Sequence, residues 1–461
     1  MDVRGKKVLV LGLGDTGLSM TRWLARRGAI VSAADTRAEP PHAAELRREL
    51  PGVKLECGEF RDASLRAADL IAISPGIDRR TPAIAAAIAH GVPLAGDVEL
   101  FAQALPHSVS KMPQVVAITG TNGKSTVTRM AGDICVAAGY DTMVAGNIGT
   151  PVLDALTEIE NGRRGPDAFV LELSSFQLET TMSLEADAAT MLNLSEDHLD
   201  RYDGIDAYAA AKARIFHGGG AQIVNREDTR SAAMAQRGRE VWSFGTDAPD
   251  TERAWGIARR DGQPALAHGT HVLMSVAELP VAGLHNAANA LAAGALCHAI
   301  GIADAPIVKA LGAYKGLPHR VETIAVIDGV TYYDDSKGTN VGSTVAALNG
   351  FTQPVVLIAG GEGKGQDFAP LREPVGSHAR AVVLIGRDRE QIARAIDGTG
   401  VAVERAESMD EAVQLARAAS RHGDVVLLSP ACASYDMFKN YGHRGDAFAA
   451  AVRKEVARGG R

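Results

Sequence analysis

Short apolar runs rich in Val, Ile, Leu and Ala alternate with helix-compatible stretches along most of the chain. Such runs suit strands buried on both faces of a parallel sheet, and the alternation predicts an α/β protein. Residues 6–12 (K-K-V-L-V-L-G) predict a first strand, 18–27 a helix that ends at Gly28, and 29–34 a second strand. Further strands are expected at 69–73, from Val115, at 169–173 and 189–194, and then at 325–328, 355–359, 381–385 and 425–429. Helices are expected over 131–138, 205–216, 286–301 and 410–421. Two stretches break the pattern. Residues 96–113, punctuated by Gly96, Pro106 and Pro113, read as a partly polar passage. Residues 228–280 blur into short β-like runs (240–244, 271–276) among Gly, Asp and Pro, and read as strands and turns on the flank of a domain. Boundaries near Gly96 and at Gly316-Leu317-Pro318 give three α/β domains: a Rossmann-like one over 1–96, a central one over 97–316 and another Rossmann-like one over 317–461.

The central domain opens on V-V-A-I-T-G-T-N-G-K-S-T, Val115 to Thr126. A β-branched run breaks at Gly120, and Thr121, Asn122 and Gly123 lead into Lys124, Ser125, Thr126 and a helix. That order is a P-loop ATPase-type arrangement, in which backbone N–H groups and a helix N-terminus face a phosphate chain. Lys124 would reach the terminal phosphates, and Ser125 or Thr126 would offer a hydroxyl to Mg²⁺. The longer pattern with a glycine at 118 is not met, since Ile118 stands there. Upstream, Gly12-x-Gly14-x-x-Gly17 lies between a strand and a helix, with Asp35 beyond the second strand. This is the layout of a dinucleotide site, although it speaks for nucleotide-like phosphates more than for NAD. Asp35-Thr36-Arg37 and Ser74-Pro75-Gly76, at the carboxyl ends of strands, would line one crevice; Ser74-Pro75-Gly76 alone reads as a plain turn. Glu172 lies near the end of an apolar strand, where a carboxylate is costly unless paired or metal-bound. Tyr208, Lys212 and Phe216 share one helical face, and most lysines so placed snorkel to the surface.

With 46% hydrophobic and 22% charged residues and a net charge of −7 spread along the chain, no basic stripe suggests nucleic acid and nothing suggests a membrane surface. Aromatics at 5% argue further against stacking surfaces for single strands. Cys57, Cys135, Cys297 and Cys432 are far apart in sequence and are expected to be buried thiols in a reducing compartment. The apolar run after Lys6 and Lys7 is interrupted at Asp15 and followed by no cleavage site, so a strand and a cytoplasmic enzyme are expected.

Together the motifs resemble the Mur ligases, and within them the branch that adds D-glutamate. The matching stretches are G-L-G-D-T-G-L-S, D-T-R, S-P-G-I, T-G-T-N-G-K-S-T, G-N-I-G-T-P, L-E-L-S-S-F-Q-L, E-D-H-L-D-R-Y, A-A-K-A-R-I-F, G-L-H-N, G-L-P-H-R, D-D-S-K-G-T-N, G-G-E-G-K and L-S-P-A-C-A-S. They span nearly the whole chain; residues 228–280 add nothing to the match. The resemblance implies an ATP-dependent amide synthesis in peptidoglycan precursor formation. The carboxylate of UDP-N-acetylmuramoyl-L-alanine becomes an acyl phosphate, and the amine of D-glutamate displaces phosphate. It further implies catalytic roles for Lys124, His198 and Lys212, and ATP contacts from Gly120 to Thr126 and at Asn286, Arg320 and Asp335. Asp15, Thr16, Asp35, Thr36, Arg37, Ser74, Gly76, Asn147 and His198 would hold the UDP substrate. Lys337, Thr339, Lys364, Ser434 and the Tyr441 backbone would hold glutamate. Two Mg²⁺ would be held by Ser125, Glu172, His198 and Lys212, the last as a carbamate formed with CO₂. Two departures stand out: the family usually has phenylalanine at Tyr441 and often alanine at Gly338. A monomer that closes its second and third domains on ATP is expected. An NAD-dependent oxidoreductase built on Gly12–Gly17, or a non-enzymatic nucleotide switch, would leave most of these motifs unexplained. Folylpolyglutamate synthetases share the glycine loop alone.

Overall fold

The computed structural model describes residues 2–198, 201–281 and 283–459 and contains three sheets, each with its own helices. The first sheet holds β1 (Lys7–Leu11), β2 (Ile30–Asp35), β3 (Lys54–Cys57), β4 (Leu70–Ile73) and β5 (Leu94–Ala95), all parallel, in the order β3-β2-β1-β4-β5. Its order reverses between β1 and β4, where the carboxyl ends of an open parallel sheet make a ligand crevice. Glycines close the first turn. A Cβ at Gly17 would lie 1.8 Å from the Gly12 carbonyl oxygen, so helix and loop touch only because Gly17 has none.

The central sheet holds β6 (Gln114–Thr119), β7 (Thr142–Gly146), β8 (Ala168–Glu172), β9 (Ala188–Met191), β10 (Ala221–Asn225), β11 (Val241–Phe244), β12 (Ala254–Arg260), β13 (Gln263–His268) and β14 (His271–Ser275). Their order is β14-β13-β12-β11-β10-β9-β6-β8-β7. Strands β6 to β12 run parallel, while β13 and β14 are antiparallel additions at one edge. The 228–280 stretch therefore does flank the central domain, as extra strands of its sheet. The pattern blurs there because β12 and β13, next to the edge strand β14, are each partly exposed. The third sheet holds β15 (Glu322–Ile327), β16 (Val330–Asp334), β17 (Val355–Gly360), β18 (Ala379–Ile385), β19 (Ala402–Arg405) and β20 (Val425–Leu428) in the order β15-β16-β20-β17-β18-β19. Only the β15–β16 pair is antiparallel.

Three expectations are corrected. Residues 96–113 are not a polar passage but mostly a helix, Asp97–Ser108, with Val98, Leu100, Phe101, Ala104 and Leu105 buried. Phe101 meets Phe169 edge to face at 5.1 Å. The polar look came from two acids that are themselves buried. Asp97 accepts a bond from Gln177 Nε2 at 3.0 Å, and Glu99 accepts the backbone N–H groups of Met182 and Ser183. Lys212 is not a snorkelling surface lysine: it is 1% exposed. Cys57 is exposed, whereas Cys135, Cys297 and Cys432 are buried and free. Among the described residues, no helix is long and apolar enough to cross a membrane.

The edge strands are pinned by Trp255 on β12, which is fully buried against the Leu284–Ala299 helix. It fits because Gly294 faces it: a Cβ there would lie 2.4 Å from the indole ring. Gly294→Ala is therefore expected to destabilise the central domain by about 1–3 kcal/mol through overpacking, despite alanine's better helix propensity. A rise in the denaturation midpoint on a urea melt would contradict this.

Candidate active site

The glycine loop joins β6 to the helix Lys124–Ala137. Gly123 has φ +82°, which a side chain would strain, and a Cβ there would lie 2.5 Å from Asn289 Oδ1. Asn193, past the end of β9, fastens the loop: its carbonyl accepts from Thr121 N–H and its Oδ1 accepts from Asn122 N–H at 2.8 Å. Lys124 folds back and donates to the carbonyls of Gly120 (2.9 Å) and Thr121 (2.8 Å). Lys212 rises from the helix Ile205–Ala213 and donates to the same Gly120 carbonyl at 2.8 Å and to Thr119 Oγ1 at 3.2 Å. Its ammonium lies 4.8 Å from the centre of the Tyr208 ring. Burial lowers both lysines from their ordinary pKa, Lys212 far below it, with Lys124 beside it as the second cause.

Glu172 ends β8 and is 1% exposed. Its Oε1 accepts from Asn147 Nδ2 at 2.7 Å, while Oε2 is buried without a hydrogen-bond partner. His198 stands in the left-handed region (φ +54°), with its ring 4.7 Å from Phe176 and its Nε2 3.6 Å from Asp197. Burial holds this imidazole below its usual pKa, against the neighbouring Asp197. Leu199 and Asp200, of the same acidic motif, lie outside the described residues.

The third domain closes over the loop. Arg320 Nη2 donates to Ser125 Oγ at 2.8 Å, and Asn122 Oδ1 accepts from Asn340 Nδ2 (3.1 Å) and Ser343 Oγ (2.6 Å). The open cavity between the two domains, about 500 Å³, is lined by Thr121, Asn122, Gly123, Lys124, Ser125, Thr126, Asn147, Glu172, His198, Lys212, Asn286, Arg320, Asp335, Lys337, Thr339 and Lys364. Burial pushes the Asp335 carboxyl up to about 7, against a 2.7 Å bond from Ser429 Oγ, and pushes Lys337 down to about 8.

Other predicted residues lie elsewhere. Gly120 sits beneath the cavity as the acceptor of both lysines. Ser434 is buried behind the wall, and its carbonyl accepts from Phe438 N–H. Tyr441 lays its ring over Lys337 Nζ at 3.9 Å and accepts from Ser336 Oγ through its carbonyl. Asp15, Thr16, Asp35, Thr36, Arg37, Ser74 and Gly76 stand apart in the first domain, at or just beyond the ends of β1, β2 and β4. Asp35 is saturated there. It accepts from Leu13 N–H (2.7 Å), from Arg37 N–H (2.9 Å) and from the Arg37 guanidinium at 2.8 and 2.6 Å. Burial opposes its charge, yet these bonds hold its pKa at about 2. Ser74 Oγ donates to the Gly12 carbonyl, and Asp15 pairs with His42.

Sequence reasoning missed several contributors. Asn193 and Asn340 act by hydrogen bonds that no spacing announces. Arg444 is 1% exposed and ties the carbonyls of Ser336 and Cys432 together beneath Lys337. His285 and Asn289 also line the cavity, from the G-L-H-N stretch and the helix that follows.

A phosphate loop closed by cationic residues from a third domain, with a separate nucleotide-type domain ahead of it, defines a multidomain ATP-dependent ligase. Family models match all three parts: Mur ligase MurD-like, N-terminal domain, over residues 6–96; Mur ligase middle domain over 118–297; and Mur ligase, glutamate ligase domain, over 319–432. The chain belongs to the Mur ligase family. It is 53% identical to a UDP-N-acetylmuramoylalanine–D-glutamate ligase of Nitrosomonas europaea over 98% of this chain and 97% of that protein. It is 56% identical to the protein of the same name from Thiobacillus denitrificans, over 99% and 98%. The fold is also that of UDP-N-acetylmuramate-alanine ligase MurC from Thermotoga maritima, with a TM-score of 0.60 at 18% identity over 98% of this chain and 100% of that one.

The contact between Asn122 and the third domain suggests a simple test of closure. Asn122→Ala removes the acceptor of two interdomain bonds, worth together about 1–3 kcal/mol. The variant is expected to have a larger radius of gyration in small-angle scattering without ligands; an unchanged profile would show that other contacts hold the domains shut.

Proposed function

We propose that this chain joins D-glutamate to UDP-N-acetylmuramoyl-L-alanine with ATP, forming an amide through an acyl phosphate, in the cytoplasmic synthesis of peptidoglycan precursors. What carries the reading is full-length identity above half to ligases of that name, together with one cavity lined by the phosphate loop and by Lys337 and Lys364. The substrate carboxylate oxygen bonds the γ-phosphorus as ADP leaves; the glutamate amine then bonds the acyl carbon as phosphate leaves.

Both steps bring anions together, and the chain's own cations would make that bearable. Lys124 and Arg320 would turn from Gly120 and Ser125 to the phosphate chain. Lys337 and Lys364, with Thr339, would take the glutamate carboxylates. Asn286 would face the base. Ser434 and the Tyr441 backbone would complete the glutamate clamp. The first-domain crevice, with Arg37 presented by Asp35, would take the uridine diphosphate. One chain supplies every part, so the reading needs no second copy.

Mg²⁺ fits this donor set. Glu172 Oε2 is a buried carboxylate oxygen with no partner, and Ser125 offers a hydroxyl beside the loop. Ser125 and Glu172 would hold one ion and His198 would help to hold a second. Bound there, the ions would supply charge neutralisation between carboxylate and phosphates. The buried Lys212 is a poor ligand as an ammonium. Its depressed pKa favours the neutral amine, which is the form that adds CO₂; the resulting carbamate has the oxygens Mg²⁺ prefers.

The decisive assay is phosphate release from ATP with UDP-N-acetylmuramoyl-L-alanine, Mg²⁺ and bicarbonate, comparing D-glutamate, L-glutamate and no amino acid. Turnover with D-glutamate alone is expected; turnover with L-glutamate alone would overturn the substrate, and none with either would overturn the reading. Lys212→Ala is expected to lose at least about 100-fold in kcat, partly restored by short carboxylic acids. Isotope-labelled bicarbonate should give a carbamate resonance in the parent protein and none in the variant.

A further inference from the structure

The edge strands β12 to β14 have no part in the function proposed above, yet they bring an unusual set of side chains together. His268 ends β13, His298 lies in the last turn of the Leu284–Ala299 helix, and Asp304 opens the helix Asp304–Gly312. His268 Nε2 is 3.1 Å from each Asp304 carboxylate oxygen, and His298 Nδ1 is 3.4 Å from Oδ1. One donor atom from each of the three residues falls within 4.8 Å of the other two.

We propose that His268, His298 and Asp304 form a binding site for a divalent transition-metal ion of the Zn²⁺ class, separate from the Mg²⁺ chemistry of the cavity. Donors about 2.0–2.1 Å from a tetrahedral Zn²⁺ stand about 3.3 Å apart, and the two nitrogen-to-carboxylate spacings bracket that value. His298 Nδ1 is buried and makes no hydrogen bond, although a carboxylate lies beside it. A shared cation would satisfy that nitrogen, which one carboxylate serving two imidazoles does not. The helix C-terminus that carries His298 favours positive charge. Asp304 and His298 are partly exposed, at 38% and 28%, which leaves an entry path and a fourth position for water. Two imidazoles and one carboxylate suit Zn²⁺, Co²⁺, Ni²⁺ or Cu²⁺ and not Mg²⁺.

Such an ion would tie the outer strands to the ends of two helices. One of those helices has Asn286 and Asn289 at the cavity near its start, about 18 and 14 Å from His298 by helical rise. The site also has built-in reporters. Trp255 stacks on His268 at 4.9 Å, and Trp242 and Trp255 meet His298 edge to face at 5.4 and 5.7 Å. The chain has three tryptophans, so two of them report on this cluster.

The test uses the full chain, stripped with a chelator and returned to excess Mg²⁺. Zn²⁺ content after gel filtration and quenching of tryptophan fluorescence by Co²⁺ are measured for the parent protein, Asp304→Asn and His298→Gln. The parent should retain about one Zn²⁺ more than either variant and show Co²⁺ quenching that Zn²⁺ reverses. Each variant should bind at least about tenfold more weakly, with ligation activity unchanged. Circular dichroism identifies any variant that fails to fold, in which case the other decides. Equal Zn²⁺ content in parent and folded variants, or no reversible quenching in the parent, would overturn the site and leave His268 and Asp304 as a plain ion pair.

Discussion

Two ammonium groups share one carbonyl. Lys124 and Lys212 both donate to the Gly120 oxygen, at 2.9 and 2.8 Å; Lys212 is buried and Lys124 is half-buried at the cavity. Like charges in a low-dielectric site repel strongly, and desolvation adds to the cost. Among the carboxylates near the loop, Glu172 keeps an oxygen unpartnered. Such a site would be stabilised by added negative charge: in the function proposed above, a phosphate chain, or a carbamate formed from the neutral amine of Lys212. The glycine loop, the asparagine that fastens it and the Tyr208 ring under Lys212 all serve to hold these two cations where they would not otherwise stay.

Closure follows from the same shortage. Arg320 crosses from the third domain to Ser125 Oγ, so a third cation arrives at the loop. Neutral contacts make this tolerable. Asn122, Asn340 and Ser343 form a hydrogen-bonded knot between the domains that brings no charge. The domains can therefore meet through amides and hydroxyls while their cations face a common space. Lys337, with its pKa lowered to about 8 and the Tyr441 ring across its ammonium, is held in the same economy of buried positive charge.

The strands and the phosphate loop were legible because parallel strands leave continuous apolar runs and glycines mark a tight strand-to-helix turn. The burial of Lys212 was not. Its helical face with Tyr208 and Phe216 was visible, but a lysine there reads as snorkelling unless the packing of another element covers it. The Asp97–Ser108 helix was hidden for a related reason: Asp97 and Glu99 look solvent-facing, and only the fold brings Gln177, Met182 and Ser183 to satisfy them. Residues that act by holding a loop, such as Asn193 and Arg444, leave no local signal, since their partners are distant in sequence. Ser434 and Tyr441 illustrate the converse. Motifs carried them to the glutamate region, but neither lines the cavity itself: Ser434 is buried, and Tyr441 reaches it only through Lys337.

The first domain shows how one turn can host different nucleotides. A Gly-x-Gly-x-x-Gly turn followed by an acid reads as a dinucleotide site when that acid is free for a ribose hydroxyl. Here Asp35 is not free. Leu13 N–H, Arg37 N–H and the Arg37 guanidinium occupy both its oxygens, and the strength of those bonds is plain in its depressed pKa. The acid has become a bracket that holds a half-exposed guanidinium beside the glycine turn. A cation in that position would suit a ligand whose charge is concentrated in its phosphates, and it leaves Asp35 no free oxygen for the ribose hydroxyls of NAD. The same glycine turn can thus carry a different ligand according to what one carboxylate is bonded to, and in the function proposed above Arg37 would be the group that meets the diphosphate.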